Sequence, residues 1–153
     1  MQLATEIIPD LWIGDQRSIK NTKFLKENKF SCIINCTKNI EINEDYMGTE
    51  IVNIMIGENE HTDLLKDNLE LYKKIDDIVE YIHRYLCKNK SVLVYCQGCI
   101  QRAPTIVAAY IMKYGKVDID KAINDIKTKR ENCFQPRVNF YLTLQKYWAF
   151  LEK

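Results

Sequence analysis

The sequence predicts a layered α/β fold, about five strands with helices around them, on three observations. Short β-rich apolar runs come before long helical patterns, the connections between them are short, and one β-branched run stops abruptly at a polar loop that opens a helix. At 153 residues the chain is long enough to bury a core as one domain, taken as residues 1–153. With 46% hydrophobic and 28% charged residues it has a globular rather than a disordered composition. Its net charge of +1 supplies no general attraction to nucleic acid or to an anionic membrane.

The elements follow from the local patterns. Glu6 to Ile8 and Leu11 to Gly14 are strand candidates separated by the turn pair Pro9-Asp10. Ser18 to Asn28 carries a weak helical pattern through Ile19, Phe24 and Leu25. Phe30 to Cys36 is a continuous apolar run of the kind buried on both faces of a sheet, and Ile51 to Ile56 is another strand, stopped by Gly57. Thr37 to Gly48, polar and acidic, is assigned to a loop.

Leu65, Leu69, Tyr72, Ile75, Val79, Ile82 and Leu86 recur at three- and four-residue steps, which predicts a long helix capped by Asp63. Its charges, including Lys73, Lys74, Asp76, Asp77 and Glu80, are assigned to a solvated face. Ala103 to Met112 predicts a buried helix ended by Gly115, and Asp118 caps a helix with Ile119, Ala122, Ile123 and Ile126. Pro136 is placed at the first position of a last helix carrying Phe140, Leu144, Tyr147 and Leu151.

The opening residues lack the basic and apolar regions of a signal peptide, and Gln2 stands where myristoylation needs glycine. The longest apolar run is too short to cross a bilayer. A cytoplasmic location, with the nucleus also open to it, is therefore expected rather than secretion, with no membrane partner and a monomer or weak dimer. The six cysteines fall within apolar periodic segments, so reduced thiols are expected; Cys32, Cys36, Cys87 and Cys133 read as small core residues.

The functional signal lies between Ser91 and Thr105, SVLVYCQGCIQRAPT. Val92 to Val94 form a strand that ends at a thiol, Cys96, and five residues later Arg102 begins an apolar helix. Such a loop turns several backbone N–H groups into one small space at a helix N-terminus, which suits a phosphate-like anion. Cys96-x5-Arg102 therefore reads as a phosphate pocket with a nucleophile at its floor. Cys96-Gln-Gly-Cys99 is also a C-x-x-C at a helix start, the spacing of redox dithiols, and a reversible Cys96–Cys99 disulfide is a second reading. His61 and His83 have no metal-ligand spacing and read as surface residues, so neither metal nor cofactor is expected.

YCQGCIQRAPT resembles the H-C-x-x-G-x-x-R-[ST] signature of cysteine-dependent protein phosphatases, and the whole chain resembles the small dual-specificity phosphatases. EIIPDLWIGD is similar to the family's first two strands, IINCT to its next strand, and PTIVAAYIMKYG to the helix behind the loop. KAINDIKTKRENCFQPRVNF is similar to the segment ending in the family's Asn-Pro-Asn-x-Gly-Phe turn, of which Pro136 and Phe140 remain. The resemblance implies a single-domain fold with a central twisted, mostly parallel sheet. It also implies hydrolysis of phosphate from Tyr, Ser or Thr of a phosphorylated protein or peptide through a cysteinyl-phosphate.

In that scheme Cys96 is the nucleophile, the loop amides of Gln97, Gly98, Cys99, Ile100, Gln101 and Arg102 hold the phosphate oxygens, and Arg102 grips two of them in a bidentate fork. Glu58, in Ile54-Met55-Ile56-Gly57-Glu58, matches the aspartate that serves as general acid, with Glu60 and Asp63 as substitutes in the same loop. Arg137 is placed at the pocket rim.

This chain departs from the signature at Tyr95 in place of histidine, Cys99 in place of glycine and Ala103 in place of Ser or Thr, and Glu58 is longer than aspartate. These departures lean toward STYX-like pseudophosphatases, although Cys96 is kept. They predict a slowed enzyme or, alternatively, a module that binds phosphorylated partners without turnover. Action on RNA 5′-phosphates, known among relatives, is a weaker reading because basic and aromatic residues are not interleaved.

Overall fold

The run that ends at Cys96 becomes the central strand of the molecule. A computed structural model describes residues 2–38, 49–57 and 63–153, which fold as a single-domain α/β structure. The order along the chain is β1 (Ala4–Ile8), β2 (Leu11–Gly14), α1 (Gln16–Lys20), α2 (Thr22–Asn28), β3 (Cys32–Asn35), β4 (Glu50–Asn53), α3 (Leu64–Leu86), β5 (Val92–Tyr95), α4 (Arg102–Gly115), α5 (Ile119–Lys129) and α6 (Tyr141–Leu151). The five strands lie in the order β1-β2-β5-β3-β4. Only β1 runs antiparallel to its neighbour.

Both faces of the centre are covered, which is why β3 and β5 read as unbroken apolar runs. Alternate side chains enter different clusters. Cys32, Ile34, Val92 and Val94 join the core under α3 to α6, whereas Ile33, Leu93 and Tyr95 join Ala4, Ile19, Leu25 and Phe30 on the side of α1 and α2. Trp12, Phe24 and Phe30 close that second cluster through edge-on and tilted ring contacts, with centroids 5.7 to 6.1 Å apart. Each fully buried aliphatic side chain stabilises the fold by roughly 1.5–3 kcal/mol.

Capping chemistry explains one correction. The pattern from Ser18 to Asn28 is two helices, because Asn21 leaves helical geometry and its side chain accepts from the Phe24 N–H, ending α1 and starting α2. Asp63 and Asp118 cap α3 and α5 as expected, accepting from Lys66 N–H at 3.2 Å and Lys121 N–H at 2.8 Å.

Other expectations change where tertiary contacts override periodicity. In α3 the buried stripe is Asp67, Asn68, Leu71, Ile75, Ile78, Val79 and Ile82, while Leu65 and Leu69 are exposed. Asp76 and Glu80 are not simply solvated: Lys113 of α4 pairs with both, at 2.9 and 3.3 Å, and the Tyr147 hydroxyl of α6 donates to Asp76. Lys74 donates to the Ile54 carbonyl.

Strand pairing in β4 stops at Asn53, and Met55 turns the chain with φ 60°. Pro136 does not start a helix; it follows a cis peptide bond, and α6 begins at Tyr141. Cys87 is exposed rather than core. His83 stacks on Tyr114 at 3.6 Å between ring centroids. Most of the Thr37 to Gly48 loop, with Glu58, Glu60 and His61, lies outside the described residues. Among the described residues no helix is long and apolar enough to cross a membrane.

The end of α4 differs by one residue from the expected glycine stop. Gly115 is still helical, and Lys116 takes the left-handed position at φ 55°. Lys116→Gly is expected to stabilise the protein by about 1 kcal/mol, because only glycine occupies that region without a Cβ clash. Urea unfolding of the two proteins at one pH measures it.

Candidate active site

Strand register brings the site together. Gly14 and Asn35 are both level with Tyr95 across the sheet, so the residues that follow, Asp15, Cys36 and Cys96, leave the carboxyl edge side by side. That edge of a parallel sheet is where α/β folds hold ligands. The Cys96 N–H donates to the Gly14 carbonyl at 3.3 Å. Position 14 has to be glycine, since a Cβ would come within 2.8 Å of Ser18 Oγ and 3.3 Å of the Leu3 carbonyl.

The loop from 97 to 101 is held from outside. The Gln97 carbonyl accepts from Gln16 N–H at 3.2 Å, Cys99 from the Cys133 thiol at 3.5 Å, Ile100 from Phe134 N–H at 2.7 Å, and Gln101 from the Thr105 hydroxyl at 2.6 Å. Carbonyls anchored outward turn the opposite edge of each peptide, the N–H, toward the interior of the loop. Cys96 is buried, and its Sγ accepts from the Ala103 N–H at 3.5 Å, at the first turn of α4. Helix N-terminal amides and the helix dipole favour a thiolate there.

Arg102 is 7% exposed, and its Nη1 donates to the carbonyls of Cys36 at 3.3 Å and Ile56 at 3.0 Å. Because the guanidinium is planar, fixing one nitrogen on two strand ends fixes the direction of the whole fork. Beside Cys96, burial pushes the Cys36 thiol well above its usual range, the neighbouring Cys96 adds to this, and Arg102 opposes it.

The departures from the signature now have physical meaning. Tyr95 is fully buried in the cluster beneath the opposite face of the sheet, with Ile19, Leu25 and Phe30, and contributes to the loop through the backbone that follows it. Cys99 has φ 58°, so the glycine of this signature has moved one residue from the position that needs it: Gly98 precedes the strained site. Its thiol is raised well above the usual range, first by the hydrogen bond shared with Cys133, then by burial and by Cys96. Cys133 is lowered by that same bond, against a desolvation penalty, with Arg130 and Lys127 assisting. Cys99 is thus engaged with Cys133 as well as lying near Cys96. Ala103 lacks the hydroxyl but keeps its N–H on the sulfur.

Gln101 does more than its backbone amide suggests. Its side-chain nitrogen donates to the carbonyls of Gln135 and Arg137 at 3.2 and 2.7 Å, and its side-chain oxygen accepts from Asn139 N–H at 3.0 Å. Asn68 then ties Asn139 to α3 at 3.0 Å and receives the Thr143 N–H at 2.9 Å. The Arg137 backbone is thereby fixed to the loop, and its side chain is exposed.

Glu58 and Glu60 lie outside the described residues, and Asp63 is occupied as the α3 cap. Asp67 is a buried carboxylate with Oδ1 3.2 Å from where a Gly57 Cβ would stand, a position that no sequence pattern marked.

A buried cysteine at the end of a central parallel strand, a loop with its carbonyls anchored outward and an arginine opening the next helix define an α/β domain of the Cys-x5-Arg type. Residues 11–149 match the family model of the dual specificity phosphatase catalytic domain, and the chain belongs to that family. It is 31% identical over 153 residues to the protein phosphatase Slingshot of Drosophila melanogaster, covering 99% of this chain and 14% of Slingshot. It is 30% identical over 147 residues to human dual specificity protein phosphatase 16, covering 94% of this chain and 20% of that relative. The chain thus spans a small part of those two proteins. The crystal structure of human DUSP28 superposes with a TM-score of 0.85 and 18% identity, covering 100% of this chain and 97% of that one.

The displaced glycine makes a stability prediction. Cys99→Ala keeps the unfavourable φ and loses the sulfur contact, whereas Cys99→Gly loses the contact but relieves the φ. The glycine variant is expected to be more stable than the alanine variant by about 1 kcal/mol. Equal denaturation midpoints for the two would show that the loop carries no strain there.

Proposed function

We propose that this domain is a cysteine-dependent protein phosphatase of dual-specificity type, removing phosphate from Tyr, Ser or Thr of a phosphorylated protein or peptide at an attenuated rate. The observation that carries the reading is Cys96 Sγ on the Ala103 N–H at 3.5 Å, with Arg102 fixed by the Cys36 and Ile56 carbonyls above the same helix start. The thiolate attacks phosphorus in line and the P–O bond to the leaving group breaks. Arg102 and the loop amides balance the charge on the equatorial oxygens. Glu58 protonates the leaving oxygen and then, as carboxylate, takes a proton from the water that cleaves the P–S bond.

Attenuation follows from Ala103. With an N–H but no hydroxyl to support the departing thiolate, breakdown of the cysteinyl-phosphate is the slow step. The same feature supports the second reading, a module that retains its phosphorylated partner with little or no turnover. Six free cysteines support a reducing compartment, cytoplasm or nucleus, and we take the working form as a monomer or weak dimer.

An aryl-phosphate assay with reductant separates these readings. Wild type is expected to release a stoichiometric burst of phenol followed by a slow steady rate, and Cys96→Ser to release none. Ala103→Ser should raise the steady rate about ten- to a hundredfold, the value of one hydrogen bond to a charged atom. The variant Tyr95→His/Cys99→Gly/Ala103→Ser should be at least as fast. A wild type without burst or turnover that still binds a phosphopeptide, and loses it on Arg102→Ala, would favour the binding module.

A further inference from the structure

Three cations without carboxylate partners meet at the other end of the sheet. Arg84, Lys88 and Lys90 line a surface cleft of about 390 Å³ together with Glu50, Tyr81 and Tyr85. Glu50 opens β4 and Lys90 precedes β5, so the cleft lies at the amino edge of the sheet, opposite the Cys96 loop. Among the described residues none of the three cations pairs with a carboxylate, and all three are exposed. The one carboxylate among the lining residues, on Glu50, is occupied by the hydroxyls of Tyr81 and Tyr85. The cleft therefore sets three positive charges against one negative, in a chain whose net charge is +1.

Backbone and ring contacts, rather than the charges themselves, shape its walls. The chain leaving α3 folds back on Tyr85, whose carbonyl accepts from the N–H groups of both Lys88 and Lys90, at 3.0 and 3.1 Å. Asn89 between them takes the left-handed region at φ 57°. That turn fixes where the two lysine stems begin. The Arg84 guanidinium lies 5.2 Å over the Tyr81 ring, and the Tyr81 and Tyr85 rings are 5.6 Å apart. A guanidinium resting on a ring face keeps its N–H edge free for a ligand.

We propose that this cleft binds a phosphate monoester, at a site separate from the Cys96 loop. Such a group carries a charge of about −2 and three acceptor oxygens. It balances the excess positive charge of the cleft, and its oxygens can face Arg84, Lys88 and Lys90 together. A carboxylate, with a single charge and two oxygens, leaves one cation unanswered. Arg84 takes two oxygens in a fork, and the two ammonium groups share the third. The tyrosine rings supply an apolar wall for the carbon side of the ester. A cleft of this size holds one phosphorylated side chain or small molecule rather than a length of peptide.

The test follows backbone amide resonances of the full chain carrying Cys96→Ser, which prevents turnover, during titration with phenyl phosphate, benzoate or a phosphotyrosine peptide. Phenyl phosphate is expected to move the amides of residues 84–90 beside the cleft, with a midpoint distinct from that of any movement in residues 97–102 of the loop. Adding Lys88→Gln/Lys90→Gln should weaken binding at the cleft about tenfold or more and leave the loop response unchanged. Both lysines are exposed, so the fold survives the exchange. A peptide that moves the cleft amides assigns the phosphate to a protein side chain; one that leaves them still while phenyl phosphate moves them assigns it to a small molecule. No movement at residues 84–90 with phenyl phosphate would overturn the site. Benzoate moving them at equal concentration would overturn the phosphate class, and a midpoint indifferent to the lysine exchange would overturn the role of the cations.

Discussion

Everything at the candidate site depends on a central strand that is covered on both faces and stops where a helix begins. β5 can be apolar without interruption because α1 and α2 bury Leu93 and Tyr95 on one side, while α3 to α6 bury Val92 and Val94 on the other. Flanked by β2 and β3 in parallel, it delivers Cys96 to a fixed point level with the ends of both neighbours. Arg102 exploits the same register, since its two carbonyl acceptors, on Cys36 and Ile56, belong to the chain just beyond β3 and β4. Cys96 and Arg102 are therefore positioned by one sheet edge.

Much of this was legible because the signals are local. A β-branched run ending in Cys-x5-Arg before an apolar helix carries its own geometry, and Asp63 and Asp118 announce their helices through side chains that bond three residues ahead. What stayed hidden is long-range. Gln101 looks like any polar loop residue until segment 135–139 is laid against it, 34 to 38 positions later. Asn68 faces inward only because Asn139 and Thr143 supply partners, and that inward face displaces the apolar stripe so that Leu65 and Leu69 are exposed. Asn21 splits a helix for a local reason that the weak apolar pattern obscured.

The departures from the signature are not equivalent. Tyr95 is a packing residue of the far cluster, and exchanging it alters the sheet's second face as well as the start of the loop. Cys99 combines an unfavourable backbone with a buried sulfur contact, so its two effects on stability oppose each other. Ala103 is the mildest structurally, because its backbone N–H still reaches the Cys96 sulfur although the hydroxyl of the signature is gone.

The outward anchoring of the Cys96 loop has a consequence for how the protein comes into being. Gln16 and Phe134 hold the carbonyls of Gln97 and Ile100 outward, and Asn139 holds the Gln101 side chain beside them. During synthesis the Cys96 loop leaves the ribosome well before residue 139, so for that interval the thiol exists without its cradle. The contacts from Phe134 and Asn139 that hold the second half of the loop can therefore form only once nearly the whole domain has emerged.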